Sequence, residues 1–309
     1  MTSGQTKPRL VFFGNERLVS GLQKTDAPIL SGLIERGYDI AAIVAHHSDS
    51  RSRNSRPLEV AAIAEKHNIP LLTPDKPIDI IDQLEAFRAE AAVLVAYGRI
   101  VPQRVIDIFP RGVINIHPSL LPAYRGPTPI ETPILRGESA SGISIMSLSA
   151  KMDGGPIYAQ AEFPIEPRDT KFDVYEKASS LSARLLFEVL PNILDGSLQP
   201  VAQNEADATY CHLFSKSDSL LNPSSMSASQ ADAHIRACLG YPGSRLILGN
   251  IEAIITTAHV SDVATELSVK CADGNYLAID SLKPVGKKEM PARAFLTGYR
   301  QALDISHKA

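Results

Sequence analysis

Asn115 and His117 stand two residues apart in the apolar run GVINIH, and Pro118 follows at once. Side chains at i and i+2 of a strand project from the same face, so this spacing sets an amide beside an imidazole, and the proline ends the strand there. An amide offers N–H donors and an imidazole moves protons near neutral pH. Together they can stabilise the oxyanion of an acyl transfer. Alone, the pair is also what a structural strand-end histidine looks like. Asp153 adds a third group. It opens an Asp-Gly-Gly turn after a second apolar run at 142–148, where aspartate suits the turn and a carboxylate could fix the histidine or relay its proton.

The elements that must position these groups follow from periodicity. Strands are predicted at 9–14, 39–45, 70–72, 91–97 and 112–117, alternating with helices at 27–37, 57–68, 78–89 and 102–109. A strand such as AAVLVAY is apolar on both faces and belongs inside a sheet covered by helices on both sides. The fold class is therefore α/β, a doubly wound, mostly parallel, Rossmann-like sheet, which binds ligands at the carboxyl ends of its strands, where Asn115 and His117 lie. The loop SLLPAYRGPTP carries apolar side chains beside polar backbone and suits the wall of a flat, partly apolar ligand. A helix at 129–136, strands at 142–148 and 156–165 and a long helix at 171–194 complete this unit. From about residue 210 the pattern becomes short alternating segments (RLILG, EAIITTAHV, ELSVKC, YLAIDSLKP) with one helix at 228–239. That predicts a small, OB-like C-terminal β-barrel. The expected division is a catalytic domain at 1–203, a linker at 204–211 and the barrel at 212–309.

Several function classes are excluded. One glycine after the first strand makes neither a dinucleotide fingerprint nor a P-loop, and no G-x-S-x-G elbow occurs. His46 and His47 lack partners for a metal site, and Cys211, Cys238 and Cys271 form no CxxC pair, so no metal is expected and reduced thiols in the cytoplasm are. No run is long and apolar enough to be a signal-peptide core or a membrane span. A formal charge of -3 over 309 residues rules out a globally basic nucleic-acid binder. Residues 207–309 hold ten Lys or Arg against ten Asp or Glu. Yet Lys283, Lys287, Lys288, Arg293 and Arg300 cluster against Glu289 alone, and Arg51, Arg53 and Arg56 face Asp49 in the serine-rich stretch at 46–57. Such local clusters suit a phosphate track.

The segment VINIHPSLLPAYRGPTPI (113–130), with GISIM (142–146) and MDGGPI (152–157), resembles the tetrahydrofolate-dependent formyltransferases. The opening RLVFFG, VAYGRIVP (95–102) and the C-terminal LKPVGKKEMPARAFLTGY (282–299) extend the similarity over nearly the whole chain and resemble the branch acting on methionyl initiator tRNA. The resemblance implies 10-formyltetrahydrofolate as co-substrate, its pterin lying against Tyr97, Gly98, Arg99 and Ile100 and against Ser119, Leu120, Leu121 and Pro122. It implies Asn115, His117 and Asp153 as catalytic residues, with no metal. It also implies tRNA contacts from Arg51, Arg53, Arg56, Lys283, Lys287, Lys288 and Arg293, in a monomer that needs neither membrane nor DNA. Two departures stand out. NERLVSGLQKTDAPIL replaces the family's short T-P-x-F-A run after the first strand, and HHSDSRSRNSRP replaces a loop rich in Gly, Arg and Lys. A sugar-nucleotide N-formyltransferase would share the central motifs but not GKKEMPARAFLTG. A non-catalytic folate- or RNA-binding module would not need Asn115, His117 and Asp153 together.

Overall fold

The computed structural model describes residues 7–22, 24–46 and 58–299. Arg51, Arg53, Arg56 and Arg300 lie outside them. The N-terminal unit runs β1 (Arg9–Gly14), α1 (Pro28–Glu35), β2 (Asp39–Val44), α2 (Glu59–His67), β3 (Leu71–Leu72), α3 (Ile81–Ala86), β4 (Ala91–Val95), α4 (Gln103–Ile106), β5 (Val113–His117), α5 (Glu131–Arg136), β6 (Ala140–Ser147), β7 (Ile157–Pro164) and α6 (Lys171–Asp195). Its seven strands take the order β3-β2-β1-β4-β5-β6-β7. Pairings from β3 to β5 are parallel, and β6 and β7 join antiparallel. The mostly parallel doubly wound sheet is thus borne out. The chain winds one way from β1 to β3 and the other way from β4, so the switch lies between β1 and β4, where an open α/β sheet leaves a crevice.

Both sheet faces are covered. Leu10, Phe12, Val93, Ile114 and Ile116 pack with α1 and α6 on one side, while Val11, Phe13, Leu94 and Val113 pack with α3 and α4 on the other. Gly14 fixes the crossing of β1 and β4. Its φ is +121°, and a Cβ there would stand 1.8 Å from the Val95 carbonyl oxygen, so only glycine fits.

The long stretch after β1 solves a capping problem. α1 begins at Ala27, whose left-handed φ of 45° and methyl side chain offer no cap. The buried Glu16 carboxylate takes that place, accepting the N–H groups of Ile29 at 3.0 Å and Leu30 at 2.8 Å.

The C-terminal unit has α7 (Ala228–Cys238), β8 (Ser244–Leu248), β9 (Ile251–Ser261), β10 (Ser268–Lys270), β11 (Tyr276–Pro284), β12 (Met290–Pro291) and α8 (Ala292–Tyr299). Its antiparallel sheet, ordered β10-β11-β9-β8 with β12 on β11, is a curled half-barrel. α7 packs on β9 and β11 and closes its inner side. α8 is a correction to the sequence reading, which placed only one helix in this unit. The eight residues Ala292–Tyr299 do carry apolar side chains at helical spacing, Ala292, Phe295, Leu296 and Tyr299, but the segment is short for a helix on its own. Burial of Phe295 and Leu296 on the sheet, and stacking of Phe295 on Tyr299 at 4.9 Å, make the segment helical. No helix among the described residues is long and apolar enough to cross a membrane.

Candidate active site

A cavity of about 620 Å³ opens at the carboxyl ends of β1, β4 and β5. Along β5, Ile114 and Ile116 enter the core under α1 and α6, and Val113 enters the opposite core. Asn115 and His117 continue the Val113 face past the end of that core and line the cavity, only 6% and 5% exposed. The Asn115 amide has no protein hydrogen-bond partner among the described residues and is available to a ligand. Asp153 reaches the same cavity from the turn after β6.

The imidazole is held at both ends. Its Nε2 lies 3.0 Å from the Tyr124 carbonyl; a carbonyl can only accept, so this nitrogen carries a hydrogen. Its Nδ1 faces Asp153 Oδ1 at 3.7 Å. That separation exceeds a direct hydrogen bond, so proton exchange between the two groups would need a small closure or one bridging water. The other Asp153 oxygen accepts the Gly126 N–H at 2.8 Å. Ala96, Tyr124 and Asp153 all have left-handed φ, 50°, 59° and 46°. Such backbone is held only where its surroundings enforce it.

Residues 97–100 line the cavity. The Tyr97 ring is buried edge-on to Phe13 at 5.3 Å, and burial pushes its hydroxyl up to about 12. Gly98, Ile100, 82% exposed, and Met152, 61% exposed, line the same cavity. Ser119, Leu120, Leu121 and Pro122 are not among the lining residues. They form the layer behind the site. Ser144 Oγ donates to the Ser119 carbonyl at 2.7 Å and accepts the Leu121 N–H at 3.0 Å, while Gln160 donates to the Leu121 carbonyl at 2.9 Å. In the second unit Lys283, Lys287, Lys288 and Arg293 are exposed and make no ion pair among the described residues. Among the described residues no three His, Cys, Asp or Glu groups gather as a metal site.

Sequence reasoning did not find the residues behind the Asp153 turn. Arg125, with no exposure, donates to Gln203 Oε1 at 2.7 and 3.1 Å and to both Glu205 oxygens at 3.0 Å. Hydrogen bonds from Arg125 and Lys151 hold Glu205 down to about 2. An arginine inside the apolar SLLPAYRG loop was the one available signal, because a buried guanidinium requires acceptors. Those acceptors sit some eighty residues away, Gln203 at the last position of the expected catalytic domain and Glu205 in the expected linker.

Residues 17–190 match the model of the formyl transferase family, and residues 214–300 match that of the formyl transferase C-terminal domain. The methionyl-tRNA formyltransferase of Lactobacillus acidophilus is 33% identical over 296 residues, 90% of this chain and 93% of that protein. That of a Geobacillus species is 33% identical over 306 residues, covering 93% and 96%. The chain belongs to the methionyl-tRNA formyltransferase family. Solved structures share the fold at lower identity. HypX from Aquifex aeolicus in complex with tetrahydrofolic acid has a TM-score of 0.67 at 15% identity over 97% of this chain, which spans 48% of HypX. The sugar 3N-formyl transferase WlaRD has a TM-score of 0.65 at 19% identity, covering 92% of this chain and 100% of its own. In sequence, then, this formyltransferase lies with the tRNA enzymes, and the sugar enzymes are distant structural relatives.

Proposed function

We propose that this enzyme transfers a formyl group from 10-formyltetrahydrofolate to the α-amino group of methionyl initiator tRNA. The observation that carries the reading is the meeting of Asn115, His117 and Asp153 in one cavity, in a chain whose relatives formylate methionyl-tRNA by name. The cavity of about 620 Å³ has the size of a small-molecule site, and the exposed Ile100 and Met152 suit a flat aromatic ring. The loop at 119–122 supports this pocket from behind. The methionyl amine attacks the formyl carbon, a C–N bond forms, and the carbonyl oxygen gains negative charge. The Asn115 amide donates to that oxygen and the His117 ring stabilises it. Asp153 accepts the proton lost by the ammonium, through Nδ1 of His117 or one water, and the proton passes to the folate N10 as its bond to the formyl carbon breaks.

In this reading residues 1–203 carry the chemistry and residues 212–309 carry RNA, with Lys283, Lys287, Lys288 and Arg293 on phosphates, joined by Arg51, Arg53 and Arg56. The protein acts as a cytoplasmic monomer, with no metal, DNA or membrane in its work. The deciding experiment is formyl transfer from 10-formyltetrahydrofolate to charged initiator tRNA, elongator methionyl-tRNA and an amino-sugar nucleotide. Turnover on the initiator alone supports the proposal. Turnover on the amino sugar alone overturns it in favour of a sugar N-formyltransferase.

A further inference from the structure

Residues 124–126 touch both titratable members of the site. Tyr124 accepts from His117 through its carbonyl, and Gly126 donates to Asp153 through its N–H. Arg125 between them is buried and bonded on every side to the segment after α6. Its N–H donates to the Thr209 carbonyl at 2.9 Å, its carbonyl accepts the Cys211 N–H at 2.8 Å, and its guanidinium holds Gln203 and Glu205. Gly126 has a φ of +116°, and a Cβ there would stand 2.6 Å from the Cys211 carbonyl, so the two segments are in backbone contact.

Gln203 completes the arrangement. Its Nε2 donates to the carbonyl of Asp153 at 2.8 Å and to that of Gly155 at 2.7 Å. Its Oε1 accepts from Arg125. The amide orientation is settled by its partners, since a flipped amide would turn its NH2 toward a guanidinium and its oxygen toward two carbonyls. Asp153 is therefore gripped at two places, its carboxylate by Gly126 and its backbone by Gln203, and both grips lead to Arg125. A left-handed aspartate at φ 46° needs such support to keep one orientation.

We propose that Gln203 and Arg125 are positioning residues for formyl transfer, which set the Asp153 carboxylate against His117 through the Asp153 and Gly155 carbonyls and the Gly126 N–H. The inference rests on the reading of Asp153 as the proton-transferring carboxylate. It gives the segment after α6 a part in the reaction beyond joining the two units.

The test is a double-mutant cycle on the full chain with methionyl-tRNA and 10-formyltetrahydrofolate, using Gln203→Ala, Asp153→Asn and the double variant. Positioning predicts that Gln203→Ala lowers kcat by about 10-fold or more, leaves both KM values within about two-fold and displaces the kcat pH profile. In the Asp153→Asn background the same change should do nothing further, because its route of action is already gone. Gln203→Met fills the same volume but offers no N–H to either carbonyl, so it should match Gln203→Ala in kcat while leaving a smaller cavity and melting nearer to wild type. If Gln203→Ala fails to fold, the cycle is run with this variant. An equal loss in both backgrounds, or an unchanged kcat and pH profile, overturns the proposal and leaves a structural contact. Wild-type turnover of Asp153→Asn alone overturns instead the reading on which it rests.

Discussion

The carboxylate of Asp153 stands 3.7 Å from Nδ1 of His117, although the two residues come from different strand ends thirty-six positions apart. The other carboxylate oxygen and the other ring nitrogen are already bonded to backbone, so the remaining oxygen and nitrogen face each other. Asp153→Asn keeps the shape and removes the charge. If these groups act on the transition state, it should lower kcat by on the order of 100-fold with KM little changed, as should Asn115→Ala and His117→Ala. Steady-state kinetics at saturating donor is the check, and a loss confined to KM would remove all three from the chemistry.

Ser144 is fully buried and joins Ser119, Leu121 and Gln160 through one hydroxyl. Ser144→Ala leaves the Leu121 N–H and the Ser119 carbonyl without that partner, which should cost about 1–3 kcal/mol of stability. If the loop at 119–122 supports the donor pocket, affinity for a non-transferable folate analogue should fall as well. Denaturant melts and calorimetry read the two effects separately. Equal folate affinity in a destabilised variant would confine this loop to folding.

Burial raises the Glu16 carboxyl to about 7, against the opposing N–H groups of Leu30 and Ile29. The folded state therefore holds this proton over a pH range in which the unfolded chain has lost it. Stability from the shift is complete below about pH 4.5 and declines as pH rises through about 7. Glu131, raised to about 7 by burial, contributes with the same sign. Glu16→Gln should flatten part of that decline in unfolding free energy between these limits. Glu16→Ala, which uncaps α1, should cost roughly 2 kcal/mol or more. An unaltered pH slope in Glu16→Gln would show that Glu16 is ionised throughout.

In the proposed function the exposed cations of the second unit hold RNA. Each phosphate contact adds roughly one unit to the slope of log affinity against log salt. The Lys287→Ala, Lys288→Ala double variant should weaken binding of initiator tRNA and reduce that slope by about one to two units, measured by filter binding over a salt series. Formylation of a minimal amine acceptor should be unaffected. An unchanged slope would place the RNA path elsewhere on the surface.

The sequence by itself determined the elements and the chemical groups. Runs apolar on both faces such as AAVLV can only be central strands, and the i, i+2 spacing of Asn115 and His117 at a strand end fixes their common face whatever surrounds them. That information is local, carried by a few adjacent residues. Tertiary structure decided what depends on distant partners. The short helix α8 packs Phe295 and Leu296 on the sheet, and α1 is capped by a glutamate outside its own turn. The Arg125–Gln203 pair spans seventy-eight positions, so neither residue carries a spacing that announces the other. A buried guanidinium takes its acceptors wherever the fold brings them, and here it brings them from both sides of the expected domain boundary at 203/204.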